Sequence, residues 1–206
     1  MKDEDFLLVN KHVFGDEGKA LLALAWMYHT GTESVEKNNT KALHYFKKAG
    51  ELGEGRGAFN AGAIYDENGN NDLALIWYKK AATCGDHNAM YNLGLMYAEG
   101  QGVPQDYSQA LYWYKILAEQ AKASALVALA GMYYDGHGVT QNYKIAYILI
   151  NVADMLDTAK YSALAPSYIA TKLSSTELKD AERISTQLQN SRNFGIDLRK
   201  FLDSHQ

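Results

Sequence analysis

Two glycine-rich loops are the stretches that most resemble phosphate-binding motifs: GQGV at residues 100–103 and GHGV at 136–139. Loops of this composition cradle phosphates when they connect a β-strand to a helix. Each of these loops instead follows a stretch with the apolar spacing of a helix, which argues against a dinucleotide site. A third stretch, GDEGKA at 15–20, lacks the spacing of a Walker motif. The sequence therefore predicts no phosphate-binding loop.

Six histidines and one cysteine are the other candidates for catalysis or metal binding. No two histidines have the H-x-x-x-H spacing that places two zinc ligands on one helix face. Cys84 lies near His87 at a possible helix start, where a thiol can become reactive, but a small turn residue is the favoured interpretation. We therefore predict that the chain is not an enzyme and that it holds no metal or cofactor.

Two asparagines in equivalent phrases are candidate recognition residues, Asn60 in FNAG and Asn92 in YNLG. An asparagine amide supplies both a donor and an acceptor, so a pair of them can hold the backbone of an extended peptide. The alternative is that asparagine is simply a common surface residue at this position. The residue types leave both interpretations open.

The elements that position these asparagines recur along the chain. MYAEGQGV at 96–103 returns 36 residues later as MYYDGHGV, and earlier copies lie within 59–82 and 20–50. In both halves of each copy the apolar residues recur at helical spacing, with a loop between the halves. The sequence therefore predicts four pairs of helices.

Helix ends and close contacts are also predicted from the repeated phrase. Glycines in the loop are expected to end the first helix with positive φ. Asp106 is expected to cap the second helix of the third copy, and the matching caps are placed at Thr40 and at Asn71 or Asp72. Gly62 and its counterpart in the third copy are expected to let two helix backbones approach closely.

The third copy carries the pattern A-x-x-x-L-G-x-x-Y-x-x-G-x-G-V-x-x-D-Y-x-x-A-x-x-W-Y, which resembles the Sel1-like repeat, a relative of the tetratricopeptide repeat. The other copies depart from it: the first has Ala25 at the glycine, the second lacks G-x-G-V, and the fourth has Leu149 at the tryptophan. The resemblance implies an all-α, right-handed α/α superhelix (solenoid) of about four Sel1-like helix pairs plus C-terminal capping helices.

The expected organisation has three parts. Residues 1–17 form an N-terminal lead-in, and four Sel1-like repeats occupy about 18–55, 56–86, 87–121 and 122–155. Residues 156–206 form a C-terminal helical cap, with a helix broken or kinked at Pro166 and a capping box between Ser174 and Glu177. Terminal helices of this kind cover the last exposed repeat of a solenoid.

The resemblance also implies where a partner binds, because the first helix of each pair lines the concave face of a tetratricopeptide-like superhelix. The predicted partner-binding residues at such positions are Trp26, His29, Phe59, Asn60, Asp66, Tyr91, Asn92, Leu95 and Tyr134.

We therefore predict a non-catalytic protein–protein interaction scaffold that binds a protein or peptide on its concave face. Two alternatives stay open: a small-ligand-binding protein or enzyme with a pocket near the C-terminal helices, and a self-assembling module that forms a homo-oligomer. A net charge of −4 and core-type aromatic spacing argue against nucleic acid. Without a signal-peptide pattern or an apolar stretch of about 20 residues, no membrane partner and a cytoplasmic location are expected.

Overall fold

The structure, a computed structural model, describes residues 15–156 and 166–205. Within these ranges the chain forms eleven helices and no β-strand, so the predicted all-α fold is confirmed. The helices are α1 Glu17–Thr30, α2 Asn39–Glu51, α3 Gly55–Glu67, α4 Asn71–Thr83, α5 His87–Glu99, α6 Tyr107–Glu119, α7 Ala123–Asp135, α8 Tyr143–Leu156, α9 Pro166–Ala170, α10 Ser175–Gln189 and α11 Phe194–Asp203.

The chain divides into two compact units. The first unit comprises Met1–Met96 and Gly100–Pro104, and the second comprises Tyr97–Glu99 and Gln105–Gln206. In the first unit α1 packs on α2, α2 on α3, and α3 on α4. In the second unit α8 contacts α7, α9 and α10, while α11 contacts α6 and α10. Helix α8 is apolar around most of its circumference because neighbours cover it on several sides.

The second helix of each pair begins at an Asx cap in the same place of the repeat. Each cap oxygen accepts a backbone N–H of the first turn. The caps are Asn38, Asn70, Asp106 and Asn142. The prediction for Asp106 is confirmed, but those for Thr40 and for Asn71 or Asp72 are wrong. All three residues lie inside their helices, where a side chain cannot reach the first-turn N–H groups in this way.

Glycines end two of the first helices as predicted. Gly100 after α5 has φ 73° and ψ 34°, and Gly136 after α7 has φ 77° and ψ 30°. In each case the glycine N–H donates to a carbonyl of the preceding turn, Met96 or Met132. This left-handed conformation is costly for residues with a Cβ, which explains glycine at both positions.

Two glycines of the first unit create close contacts of different kinds. A Cβ on Gly62 would lie 2.7 Å from a ring carbon of Tyr78, so Gly62 makes room for this ring. The prediction that Gly62 lets two helix backbones approach closely is therefore wrong. The close backbone approach is at Gly57, where a Cβ would lie 2.9 Å from the Gly50 nitrogen and from the Phe46 carbonyl oxygen. Glycine is therefore required where α2 and α3 cross.

The C-terminal helices pack on the repeat helices of the second unit. The Ser174–Glu177 capping box at the start of α10 is confirmed. Pro166 is the first residue of α9, a position that tolerates proline, and the preceding part of the predicted kinked helix lies outside the described residues. Lys144 of α8 forms an ion pair with Asp180 of α10, which lowers the pKa of the Asp180 carboxyl.

Candidate partner-binding surfaces

Trp26 and His29 lie one turn apart on α1 and pack together against α2. Their ring centroids are 5.4 Å apart, and those of Trp26 and the fully buried Phe46 are also 5.4 Å apart. The His29 Nδ1 atom is buried and has no hydrogen-bond partner among the described residues. Both side chains remain half-buried, so part of each contributes to packing and part faces solvent.

Tyr78 of α4 brings three of the predicted residues together. Its buried hydroxyl donates to a carboxylate oxygen of Asp66 at 3.2 Å and accepts a hydrogen bond from the Asn92 side chain. The Phe59 ring lies 5.8 Å from the Tyr78 ring. Burial and the Asp66 charge raise the pKa of Tyr78. Asp66 and Asn92 therefore take part in a network within the first unit, besides any contact with a partner.

Asn60 has a different environment from Asn92. Its Nδ2 donates to the Arg56 carbonyl oxygen, one turn earlier in α3, at 2.6 Å. The two asparagines occupy equivalent repeat positions, but the Asn60 amide donates within its own helix, whereas the Asn92 amide donates to Tyr78 of α4. Asn60 therefore keeps its amide oxygen and the second N–H of its amide for a partner.

The predicted residues Tyr91 and Leu95 lie one turn apart on α5. Tyr91 is half-buried and Leu95 is 36% exposed. Together with Trp26 and Phe59, they give the first helices of the first unit a set of large apolar side chains that are only partly covered. Helix positions of this kind are suited to bind an apolar group of a partner.

Tyr134, the remaining predicted residue, belongs to a tyrosine cluster in the second unit. Its ring centroid lies 5.2 Å from that of Tyr143 and 6.3 Å from that of Tyr168. A hydrogen bond with Tyr168 raises the pKa of Tyr134 to about 12. Sequence reasoning missed Tyr168 because it lies on α9, outside the repeats. Its spacing from Lys172, whose ammonium group lies over the Tyr168 ring, is a local pattern that could have drawn attention to Tyr168.

A cleft of about 510 Å³ opens in the second unit near the end of α11. Its residues come from α6, from the end of α7 and the following loop, and from His205 after α11. They are Ser108, Leu111, Tyr112, Lys115, Tyr133, Gly138, Val139, Thr140 and His205. None of the predicted partner-binding residues lines this cleft. The repeat pattern does not predict this cleft, because three separate segments of the chain form it.

Residues 15–156 and 166–205, the described ranges, contain neither a metal-binding cluster nor a helix that could span a membrane. No group of three or more His, Cys, Asp and Glu side chains there could hold a metal ion. None of the helices there has the length and apolar character needed to span a membrane. Cys84 is exposed at the end of α4.

Alkaline pH is expected to weaken the first unit through Tyr78. Its pKa is raised above the ordinary value of 10.0 in the folded chain, so the unfolded chain loses the phenolic proton first. The stabilisation from Tyr78 is therefore complete below pH 10 and is lost as the pH rises through the folded-state pKa. Urea unfolding between about pH 8 and 11 should show a shallower decline for Tyr78→Phe than for wild type.

The matched control for this prediction is Tyr112→Phe, since Tyr112 is 54% exposed on α6. Its unfolding free energy should fall with pH as steeply as that of wild type. Equal slopes for Tyr78→Phe and wild type would show that the Tyr78 hydroxyl ionises as easily in the folded chain as in the unfolded one.

Comparison with known proteins agrees with the repeated helix pairs. The Sel1 repeat profile matches residues 18–54, 59–86, 87–122 and 123–151. A crystal structure of c5321, described as a protective antigen present in uropathogenic Escherichia coli strains and displaying an SLR fold, is similar with a TM-score of 0.77. It is 30% identical over 93% of this chain, which spans 42% of that chain.

A second similar structure is a Sel1 repeat protein from Oxalobacter formigenes, with a TM-score of 0.60 and 24% identity. The alignment covers 85% of this chain and 83% of that one, and it supports the fold. The search of curated protein sequences gave no match. The four matched repeats cover more than half of the sequence and coincide with the helix pairs α1–α2, α3–α4, α5–α6 and α7–α8. The chain therefore belongs to the Sel1 repeat family.

Proposed function

We propose that the chain is a non-catalytic scaffold that binds a protein or peptide on the first helices of its repeats. Sel1 repeat proteins are generally protein-interaction scaffolds. The observation that carries the proposal is the recurrence of partly exposed aromatic residues on successive first helices of the first unit: Trp26 on α1, Phe59 on α3 and Tyr91 on α5. Aromatic side chains contribute most of the binding energy at many interfaces.

The polar atoms beside these aromatic residues indicate what a partner must supply. One N–H of the Asn60 side-chain amide donates to the Arg56 carbonyl oxygen, so its second N–H and its oxygen remain for a partner. Asp66 accepts a hydrogen bond from Tyr78 and is half-buried, and its second carboxylate oxygen adds acceptor capacity. These features favour a partner segment that presents apolar side chains together with backbone N–H and C=O groups, as an extended peptide does.

Capture of partners from a lysate of the native cell, followed by mass spectrometry, tests the proposal. Wild type is compared with the double variant Trp26→Ala, Phe59→Ala and with Ile76→Ala. Ile76 is the control because it is 57% exposed on α4, a second helix of the same unit. Circular dichroism establishes that each variant is helical before its capture is compared.

For each partner recovered, the double variant should bind at least about 30-fold more weakly than wild type, because losing even one aromatic anchor costs about 2 kcal/mol. Ile76→Ala should bind like wild type. Capture at wild-type strength by the folded double variant would show that this surface is not the binding face. If the only chain recovered is a second copy of this protein, the self-assembly alternative replaces the proposal.

A further inference from the structure

We propose that the cleft of the second unit binds a small organic monocarboxylate with an aromatic or aliphatic body, with Lys115 holding the carboxylate. This site goes beyond the proposed scaffold function, since it lies in the second unit and shares no residue with the predicted partner-binding set. At about 510 Å³ the cleft falls in the size range of small-molecule sites, roughly 300–1,000 Å³.

The charge in the cleft comes from Lys115 of α6, which is half-buried. No acidic side chain among the described residues forms a salt bridge with its ammonium group. A half-buried ammonium group without a carboxylate partner attracts an anion more strongly than a fully exposed lysine does, because solvent screens it less. The hydroxyls of Ser108 and Thr140 also line the cleft and add hydrogen-bond donors for a carboxylate.

Apolar and aromatic side chains form part of the cleft wall. Leu111 is 8% exposed and packs near Gly138, and Val139 adjoins it in the loop after α7. Tyr112, on the other hand, is 54% exposed, so its ring is available to cover a ligand. The cleft therefore suits a ligand that combines an apolar body with a charged group.

Tyr133 provides an independent observation that points to a ligand. It is 1% exposed and lines the cleft, and its hydroxyl has no hydrogen-bond partner in the part of the chain that the structure describes. A buried hydroxyl left without a partner costs about 1–3 kcal/mol, and a ligand oxygen in the cleft would remove this cost. Burial and the nearby Asp203 charge raise the pKa of Tyr133, so the hydroxyl keeps its proton as a donor.

His205 completes the rim of the cleft with a defined orientation. Its Nδ1 lies 2.8 Å from the Phe201 carbonyl oxygen, which can only accept, so Nδ1 carries the proton. Its Nε2 is then the ring nitrogen that remains for a ligand. Asp203 is the acidic group at this end of α11. Lys115 supplies the positive charge that a ligand carboxylate needs in the presence of Asp203.

Titration of the ¹⁵N-labelled full chain with three probes of the same shape tests the proposal: 4-phenylbutyrate, 4-phenylbutanamide and 4-phenylbutylammonium. The carboxylate should shift the backbone amide signals of Gly138 and Thr140 and bind at least about tenfold more tightly than the other two probes. Lys115→Met should reduce carboxylate affinity at least about fivefold. Tyr133→Phe should reduce it about two- to tenfold, the loss of one hydrogen bond.

Two controls separate this site from other effects. Lys179→Met removes an exposed lysine of α10 outside the cleft and should leave carboxylate binding unchanged. Trp26→Ala, in the first unit, should also leave it unchanged, so failure of the scaffold proposal does not affect this result. The proposal is overturned if the three probes bind equally, if none binds at 5 mM, an order-of-magnitude upper limit, or if Lys115→Met binds like wild type.

Discussion

Replacing Gly57 with leucine is expected to lower the free energy of unfolding by about 3 kcal/mol or more, the upper end for overpacked sites. Even the Cβ would lie 2.8 Å from the Ala49 Cβ and 2.9 Å from backbone atoms of Phe46 and Gly50. Backbone atoms cannot rotate away, so α2 and α3 must separate to admit the side chain. For a chain of this size the melting temperature should fall by about 6–12 °C.

A pair of alanine substitutions gives a sharper test of the same contact. Gly131 is a helical glycine of α7, and a Cβ there would meet no atom within 4 Å beyond its chain neighbours and the backbone of its own helix. Gly131→Ala should therefore stabilise the protein by about 0.5–1 kcal/mol, since alanine is the better helix former. The identical change Gly57→Ala should destabilise it by about 1–3 kcal/mol. Thermal unfolding in which Gly57→Ala is neutral or stabilising would show that α2 and α3 do not cross closely.

Gly195→Val should release α11 from α6 in the second unit. A Cβ at Gly195 would clash with the Glu119 carbonyl oxygen and lie 3.1 Å from its carbonyl carbon. Helix α11 buries Leu198 and Leu202, and each buried leucine contributes about 1.5–3 kcal/mol. We therefore expect a loss of about 3 kcal/mol and, in limited trypsin digestion, faster cleavage after Arg199 and Lys200 than in wild type.

The control for this second prediction is Ile196→Ala, one residue further along α11. Ile196 is 55% exposed, so its truncation should change the free energy of unfolding by less than about 0.5 kcal/mol and leave the digestion rate unchanged. Equal protection of Arg199 and Lys200 in Gly195→Val and wild type would mean that α11 accommodates the added side chain without leaving α6.

The sequence by itself determined the repeated helix pairs and the family. Apolar spacing, loop glycines and the phrase shared by the copies are local signals, so they predict a helix and its end without knowledge of distant contacts. The glycine ends at Gly100 and Gly136 and the cap at Asp106 follow from such signals. The caps predicted at Thr40 and at Asn71 or Asp72 lie one or two residues after the observed caps. A helix start predicted from a run of polar residues is therefore accurate only to one or two residues.

Only the tertiary structure decided what the candidate surface residues contact. Asn60 and Asn92 occupy equivalent sequence positions, but one bonds to its own helix and the other to Tyr78 of a neighbouring helix. Gly62 was expected beside a backbone and lies beside the Tyr78 ring. The cleft around Lys115 joins residues from 108 to 205, far apart in the chain. Side-chain partners depend on how helices pack in space, and periodicity along one helix carries no information about this.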